Sequence, residues 1–158
     1  QRVLANLLRE RISIRDMATI LEVLADYAQA TKDTEILTEY VRHAMARQIT
    51  QQYVQNNQLT CITLDPAIEN KIAGAVQRTE RGSYVSMDPD TMQKLLNSLG
   101  KELQKLTDMG YQPIALTSPT VRLYFRQLVE RSVPGIIVLS HAEIDQSVEI
   151  QIIGVVKL

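Results

Sequence analysis

The chain has 158 residues, 45% hydrophobic and 22% charged, a balance that excludes disorder and fits one ordinary domain or two small ones. A formal net charge of -1 excludes the broad basic field that draws proteins to nucleic acid, and the single cysteine, Cys61, excludes an internal disulfide. The longest apolar runs, Ile136 to Leu139 and Ile152 to Val156, fall far short of the roughly 20 residues a membrane-crossing helix needs, so no segment is expected to enter a bilayer.

Gln1 lies inside a helical pattern without an N-cap or initiator Met, which reads as an excised fragment. Val3, Leu4, Leu7 and Leu8 recur at helical spacing, and Ser13 with Asp16 resembles a capping box that starts a second helix along Met17, Ile20, Leu21, Leu24 and Ala28. After the start signal Thr31-Lys32-Asp33, a third stripe runs through Ile36, Leu37, Tyr40, Val41, Ala44, Met45 and Ile49. Residues 1–58 therefore read as a helical subdomain, too small to bury much core alone and so a natural interface. Gln55-Asn56-Asn57-Gln58 reads as a polar hinge into a second unit, 59–158.

In that unit the pattern predicts strands at Thr60–Leu64, Ile114–Thr117, Ile136–Ser140 and Val148–Val156, with a short extended piece at Tyr84–Met87. Met92, Leu95, Leu96, Leu99, Leu103 and Leu106 mark one helix between them, and Val121, Tyr124, Phe125 and Leu128 another. The expected fold class is α + α/β: a small helical subdomain, then an α/β subdomain with a mainly parallel sheet flanked by helices. The short link from Ser140 to Val148 would let the last strand return antiparallel.

Ligands of open α/β sheets gather at the carboxyl ends of strands, where Asp65, Ser118 and His141 fall as a conceivable hydrolase triad. Asp65-Pro66, Asp88-Pro89 and Ser118-Pro119 instead share the form of an N-cap followed by proline at the first helical position. Pro119 also removes the amide that would follow a nucleophilic Ser118, and no glycine flanks that serine to permit a strained elbow. There is no GxxxxGK or GxGxxG run, so a receiver-like phosphate module has no cradle, and no cofactor is indicated. His43 and His141 lie far apart in the sequence and Cys61 sits in a strand pattern, which argues against a metal site and for Cys61 as a small buried hydrophobe.

Arg9, Arg11 and Arg15, with Glu10 and Asp16, crowd the turn between the first two helices, and Arg122, Arg126 and Arg131 decorate the late helix. Solvated faces are the default for both sets. Because arginine pairs carboxylates through a planar fork, Arg9, Arg11, Arg15 and Asp16 are the candidate interface.

The run from Gln1 to Glu22, with Leu7-Leu8-Arg9-Glu10-Arg11 and Ser13-Ile14-Arg15-Asp16 at its centre, resembles the FHIPEP type III export-gate family. The likeness continues in order through Leu37-Thr38-Glu39-Tyr40-Val41-Arg42, Ile62-Thr63-Leu64-Asp65-Pro66, Gly82-Ser83-Tyr84-Val85, Leu116-Thr117-Ser118-Pro119 and Val138-Leu139-Ser140. It implies the last two subdomains of a cytoplasmic region held at the inner membrane by absent chain. It also implies no enzyme activity, a homo-oligomeric ring, and contacts with export chaperones, secreted substrates and other export-apparatus proteins. Ile153-Gly154-Val155-Val156 and Thr117-Ser118-Pro119 look more like flagellar than injectisome members.

Overall fold

The computed structural model describes residues 1–158. Four helices come first: α1 (Arg2–Arg9), α2 (Met17–Tyr27), α3 (Thr34–Ala44) and α4 (Ala46–Gln51). Then follow β1 (Gln58–Leu64), α5 (Pro66–Gly74), a hairpin of β2 (Val76–Thr79) and β3 (Gly82–Val85), α6 (Pro89–Asp108), β4 (Ile114–Thr117), α7 (Arg122–Val129), β5 (Ile137–Ser140) and β6 (Glu149–Val156). The architecture is α + α/β, with one four-stranded sheet in the order β5-β4-β1-β6 and every neighbouring pair parallel.

The alternation of side chains along a strand gives the sheet two buried faces. Leu59 and Cys61 of β1, Ile114 and Leu116 of β4, and Leu139 of β5 pack beneath Val3, Leu7, Ile20, Val41 and Ile49 of the helical segment. Their neighbours Ile62, Leu64, Ala115 and Val138 point the other way, onto Ile68, Leu95, Leu99, Leu103 and Phe125 of α5, α6 and α7. The first four helices thus cover one face of the sheet, and the change from helix to strand falls at Gln58.

Four local features differ from expectation. The third helical stripe is cut in two at Met45, whose backbone (φ -101, ψ 17) leaves the helical region. Asp16 alone caps α2, accepting from Thr19 N, while the Ser13 hydroxyl accepts from Arg15 N. A strand at Val76–Thr79, unmarked in the sequence because only Val76 is apolar and the rest is exposed, pairs antiparallel with β3. The last strand is parallel, not antiparallel: residues 141–148 cross from one sheet edge to the other and let β6 join β1 in the same direction.

The expected hinge is a closed turn. Gln58 N donates to Gln55 O at 2.9 Å across Asn56 and Asn57, both at positive φ (52 and 60). Asparagine accepts that backbone better than most residues. Asn57 is pinned to the last strand from both sides, its side-chain amide donating to Ser147 O at 2.7 Å and its carbonyl accepting from Glu149 N at 2.9 Å.

Two helix ends close in the same way with different residues. After α6, Tyr111 N reaches Leu106 O at 2.9 Å and Gly110 N reaches Thr107 O at 3.0 Å, with Gly110 at φ 84. After α1, Ile12 N reaches Leu7 O and Arg11 N reaches Leu8 O, both at 2.9 Å, with Arg11 at φ 62. Both are Schellman closures, but a side chain at left-handed backbone is penalised where glycine is not. Arg11→Gly is therefore expected to raise the unfolding free energy by about 0.5–1 kcal/mol in urea denaturation. Arg11→Ala, which keeps the Cβ, should show no such gain, and equal behaviour of the two variants would refute the strain.

Candidate functional site

Asp65, Ser118 and His141 follow adjacent strands of the sheet, and the register that pairs Thr63 with Leu116 and Thr117 with Ser140 sets them side by side at the carboxyl ends of those strands. They do not form a relay. Asp65 accepts from Ala67 N at 3.1 Å as the cap of α5, the Ser118 hydroxyl meets Thr120 at 3.4 Å, and exposed His141 opens a 3-10 turn without side-chain partners. The open cleft beside Ser118 is walled by Pro66, Glu69, Asn70 and Thr120 and includes neither His141 nor Asp65.

Asp88 caps α6 through Thr91 N at 2.9 Å, but Ser118 caps nothing through its side chain. Its carbonyl instead accepts from Val121 N and Arg122 N, both at 3.1 Å. The Ser118 amide donates to Glu69 Oε2 at 3.1 Å, and α7 starts three residues later than the proline signal implied. Cys61 is fully buried, and burial pushes its thiol up to about 12, far from a reactive thiolate. No group of three or more His, Cys, Asp and Glu side chains is placed to hold a metal ion.

Of the predicted interface, Arg9, Arg11 and Arg15 are exposed and form no salt bridge. Asp16 is occupied: Gln48 Nε2 donates to it at 3.0 Å and Thr19 Oγ1 at 2.8 Å, and these bonds, Gln48 first, hold its carboxyl below the usual range. Its role is local. The structure brings Arg9 and Arg11 together around one crevice and leaves Arg15 outside it.

Glu10, between the two arginines, points inward and anchors a buried ion cluster. Arg122 is 1% exposed and Arg126 8%, which corrects the expected solvated face. The Arg122 guanidinium grips both oxygens of Glu10, at 2.9 and 3.0 Å, and donates through Nε to Glu39 Oε2 at 2.9 Å. Arg42 reaches Glu10 at 3.3 Å and Glu143 at 2.8 Å. Four carboxylates, Glu130 at 3.6 Å from Arg126 among them, and three guanidiniums thus meet where α1, α3, α7 and the turn after β5 converge.

The cluster also finishes the sheet. β5 is an edge strand, so alternate carbonyls face away from β4 and need donors. Arg122 Nη1 donates to Val138 O at 2.9 Å, Arg42 Nη2 to the same oxygen at 3.3 Å, and Arg126 Nη1 to Ile136 O at 2.9 Å. Glu143 accepts from Ser140 N at 2.9 Å and so closes the strand's end. Arginine suits this task because one planar fork serves a carboxylate and a carbonyl together. On Glu10, burial alone would raise the carboxyl, but Arg122 and then Arg42 outweigh it and hold it down at about 2.

Sequence reading missed this cluster because long-range partners leave no spacing signature. One local signal existed: Arg122 and Arg126 share the i, i+3, i+4, i+7 stripe of Phe125 and Val129, the face α7 buries.

Comparison with known proteins gives a consistent picture. The family model described as FHIPEP family matches residues 1–149. The flagellar biosynthesis protein FlhA of Bacillus subtilis is 45% identical over 159 residues, an alignment that takes in 100% of this chain and 24% of that protein. Among solved structures, the Chlamydia pneumoniae CdsV protein superposes with a TM-score of 0.91 at 38% identity, covering 99% of this chain and 45% of that one. In the structure of its complex with CdsO the TM-score is 0.88. The nonameric EPEC SctV-C matches with a TM-score of 0.84 at 31% identity, over 98% of this chain and 47% of that one. The chain thus spans about a quarter of the length of the curated relative and under half of the solved chains.

Proposed function

This chain belongs to the FHIPEP family, and we propose that it is part of the cytoplasmic region of a bacterial flagellar type III export gate, where it serves as a non-enzymatic docking platform for export chaperones and substrates. The observation that carries this reading is similarity along the whole of this chain, at 45% identity, to about a quarter of a flagellar biosynthesis protein. No helix here is long and apolar enough to cross a membrane, so in this reading the membrane anchor at the inner membrane lies in other parts of the protein and this region works on its cytoplasmic face.

Ring formation is supported by the nonameric state of SctV-C, and contact with a further export-apparatus protein by the complex of CdsV with CdsO. In this reading residues 1–58 and 59–158 act as two units docked through the shared core. The charged turn of Arg9, Arg11, Arg15 and Asp16 serves as the contact toward a neighbouring copy. Three free guanidiniums on one turn form a surface that favours an acidic partner and steers its approach.

The test uses the complete cytoplasmic region. Reversing Arg9, Arg11 and Arg15 to Glu is expected to weaken ring assembly, read by sedimentation, and flagellar export by at least about tenfold, the loss of a few interfacial charge contacts. Unchanged assembly and export would remove this turn from the interface. Capture of export chaperones by the wild-type region tests the platform itself.

A further inference from the structure

The turn between α1 and α2 overhangs the free edge of β5 and leaves a narrow crevice of about 20 Å³ between them. Arg9, Arg11, Arg42 and Arg126 line it together with Tyr53, and Glu10 is its only acid. Two donors here are unused. The Nε–H groups of Arg42 and Arg126 are buried without a hydrogen-bond partner. Their side chains are only 3% and 10% exposed.

The Nη groups of Arg42 are engaged with Glu10, Glu143 and Val138 O, and Nη1 of Arg126 with Ile136 O. Glu130 and Glu10 lie 3.6 and 3.9 Å from Arg126 Nε, beyond hydrogen-bond reach. A buried donor left unmade is expensive, more so on a charged group. The backbone adds another. Ile137 N donates across the sheet to Pro113 O at 2.9 Å, so strand alternation turns the Val138 N–H away from β4, toward the crevice. Above these donors stand Arg9 and Arg11 with no carboxylate in salt-bridge range, while both oxygens of Glu10 are committed to Arg122.

We infer that this crevice is a binding site for a single carboxylate group. Its size admits one planar oxyanion in place of about one or two waters, Arg9 and Arg11 stand on its wall as free donors, and the acid on that wall, Glu10, is already paired. The carboxylate has two possible sources, a small dissolved acid or an Asp or Glu side chain of a second copy of this chain. With a second copy as the source, the inference deepens the reading of Arg9 and Arg11 as a contact between copies; acetate binding is read without ring assembly, so the two fail separately.

The experiment is an NMR titration of the arginine Nε–H signals of the 158-residue chain with sodium acetate, against sodium chloride at matched ionic strength. Saturable shifts of the Arg42 and Arg126 signals with acetate are expected, absent with chloride. The double variant Arg9→Ala/Arg11→Ala, altered only at exposed positions, should bind acetate about tenfold more weakly, the scale of one charge-assisted contact. Shifts that rise linearly without saturation, that match in chloride, or that persist undiminished in the double variant overturn the site. Sedimentation of concentrated protein separates the sources. Self-association that acetate competes away assigns the carboxylate to a second copy, whereas saturable acetate binding with unaltered association assigns it to a dissolved acid.

Discussion

Truncating Arg122 to Ala is expected to lower the unfolding free energy by about 3–5 kcal/mol, the range for breaking a buried ion pair from one side. The charge it leaves behind sets the scale. Glu10 and Glu39 would lose the guanidinium that holds both, in a site where Glu10 is 11% and Glu39 25% exposed. Val138 O would keep only the longer 3.3 Å contact from Arg42. Arg122→Lys should recover little, because a point charge cannot span Glu10, Glu39 and a carbonyl at once. Urea denaturation is the measurement, since guanidinium salt would screen the cluster under study. A loss below about 1 kcal/mol, the ordinary size for a surface ion pair, would show that the cluster is hydrated.

Acid should unfold the protein through the same cluster. Glu10 has its carboxyl lowered from 4.5 to about 2, because the attraction of Arg122 and Arg42 exceeds the burial that pushes it upward. Its folded-state value lies below its unfolded one, so the unfolded chain takes up the proton first. The stabilisation is complete above about pH 4.5 and is lost as the pH falls toward 2. The linkage is worth about 3 kcal/mol as an order of magnitude, given roughly 1.4 kcal/mol for each pH unit of separation. Asp16, Asp88 and Asp145, lowered chiefly by hydrogen bonds from Gln48, Thr91 and Ser147, slope the same way. Glu35, raised first by burial, slopes the other way. Glu10→Gln should be markedly less stable at pH 7 and show a flatter decline in acid. A variant whose stability falls in parallel with the wild type would place the acid sensitivity elsewhere.

Local chemistry was legible wherever neighbours in the chain decide the outcome. Asp65-Pro66 and Asp88-Pro89 start helices, as side chains within reach of their own amides should. Ser118-Pro119 looked the same and behaves differently: its hydroxyl meets Thr120 Oγ1 at 3.4 Å and caps no amide, and α7 begins only at Arg122. The crossing of residues 141–148 was equally hidden. A short link permits an antiparallel return, and what prevents it is the docking of this segment on the helical face, where Thr50 donates to Glu143 O and Asn57 to Ser147 O.

The candidate site divides along the same line. Arg9, Arg11 and Arg15 were visible as a dense charged turn, yet nothing in their spacing shows that Glu10 turns inward between them. Its direction follows from the left-handed backbone at Arg11 and from Arg122, 112 positions away in the chain.

From the sequence alone came the apolar stripes, the main strands, the helix starts and the family likeness, because periodicity and capping act within a few residues. Only tertiary structure decided which charges are buried, which edge of the sheet the arginines close, and where donors are left without partners. Those outcomes depend on desolvation, and desolvation exists only once distant segments have excluded the water between them.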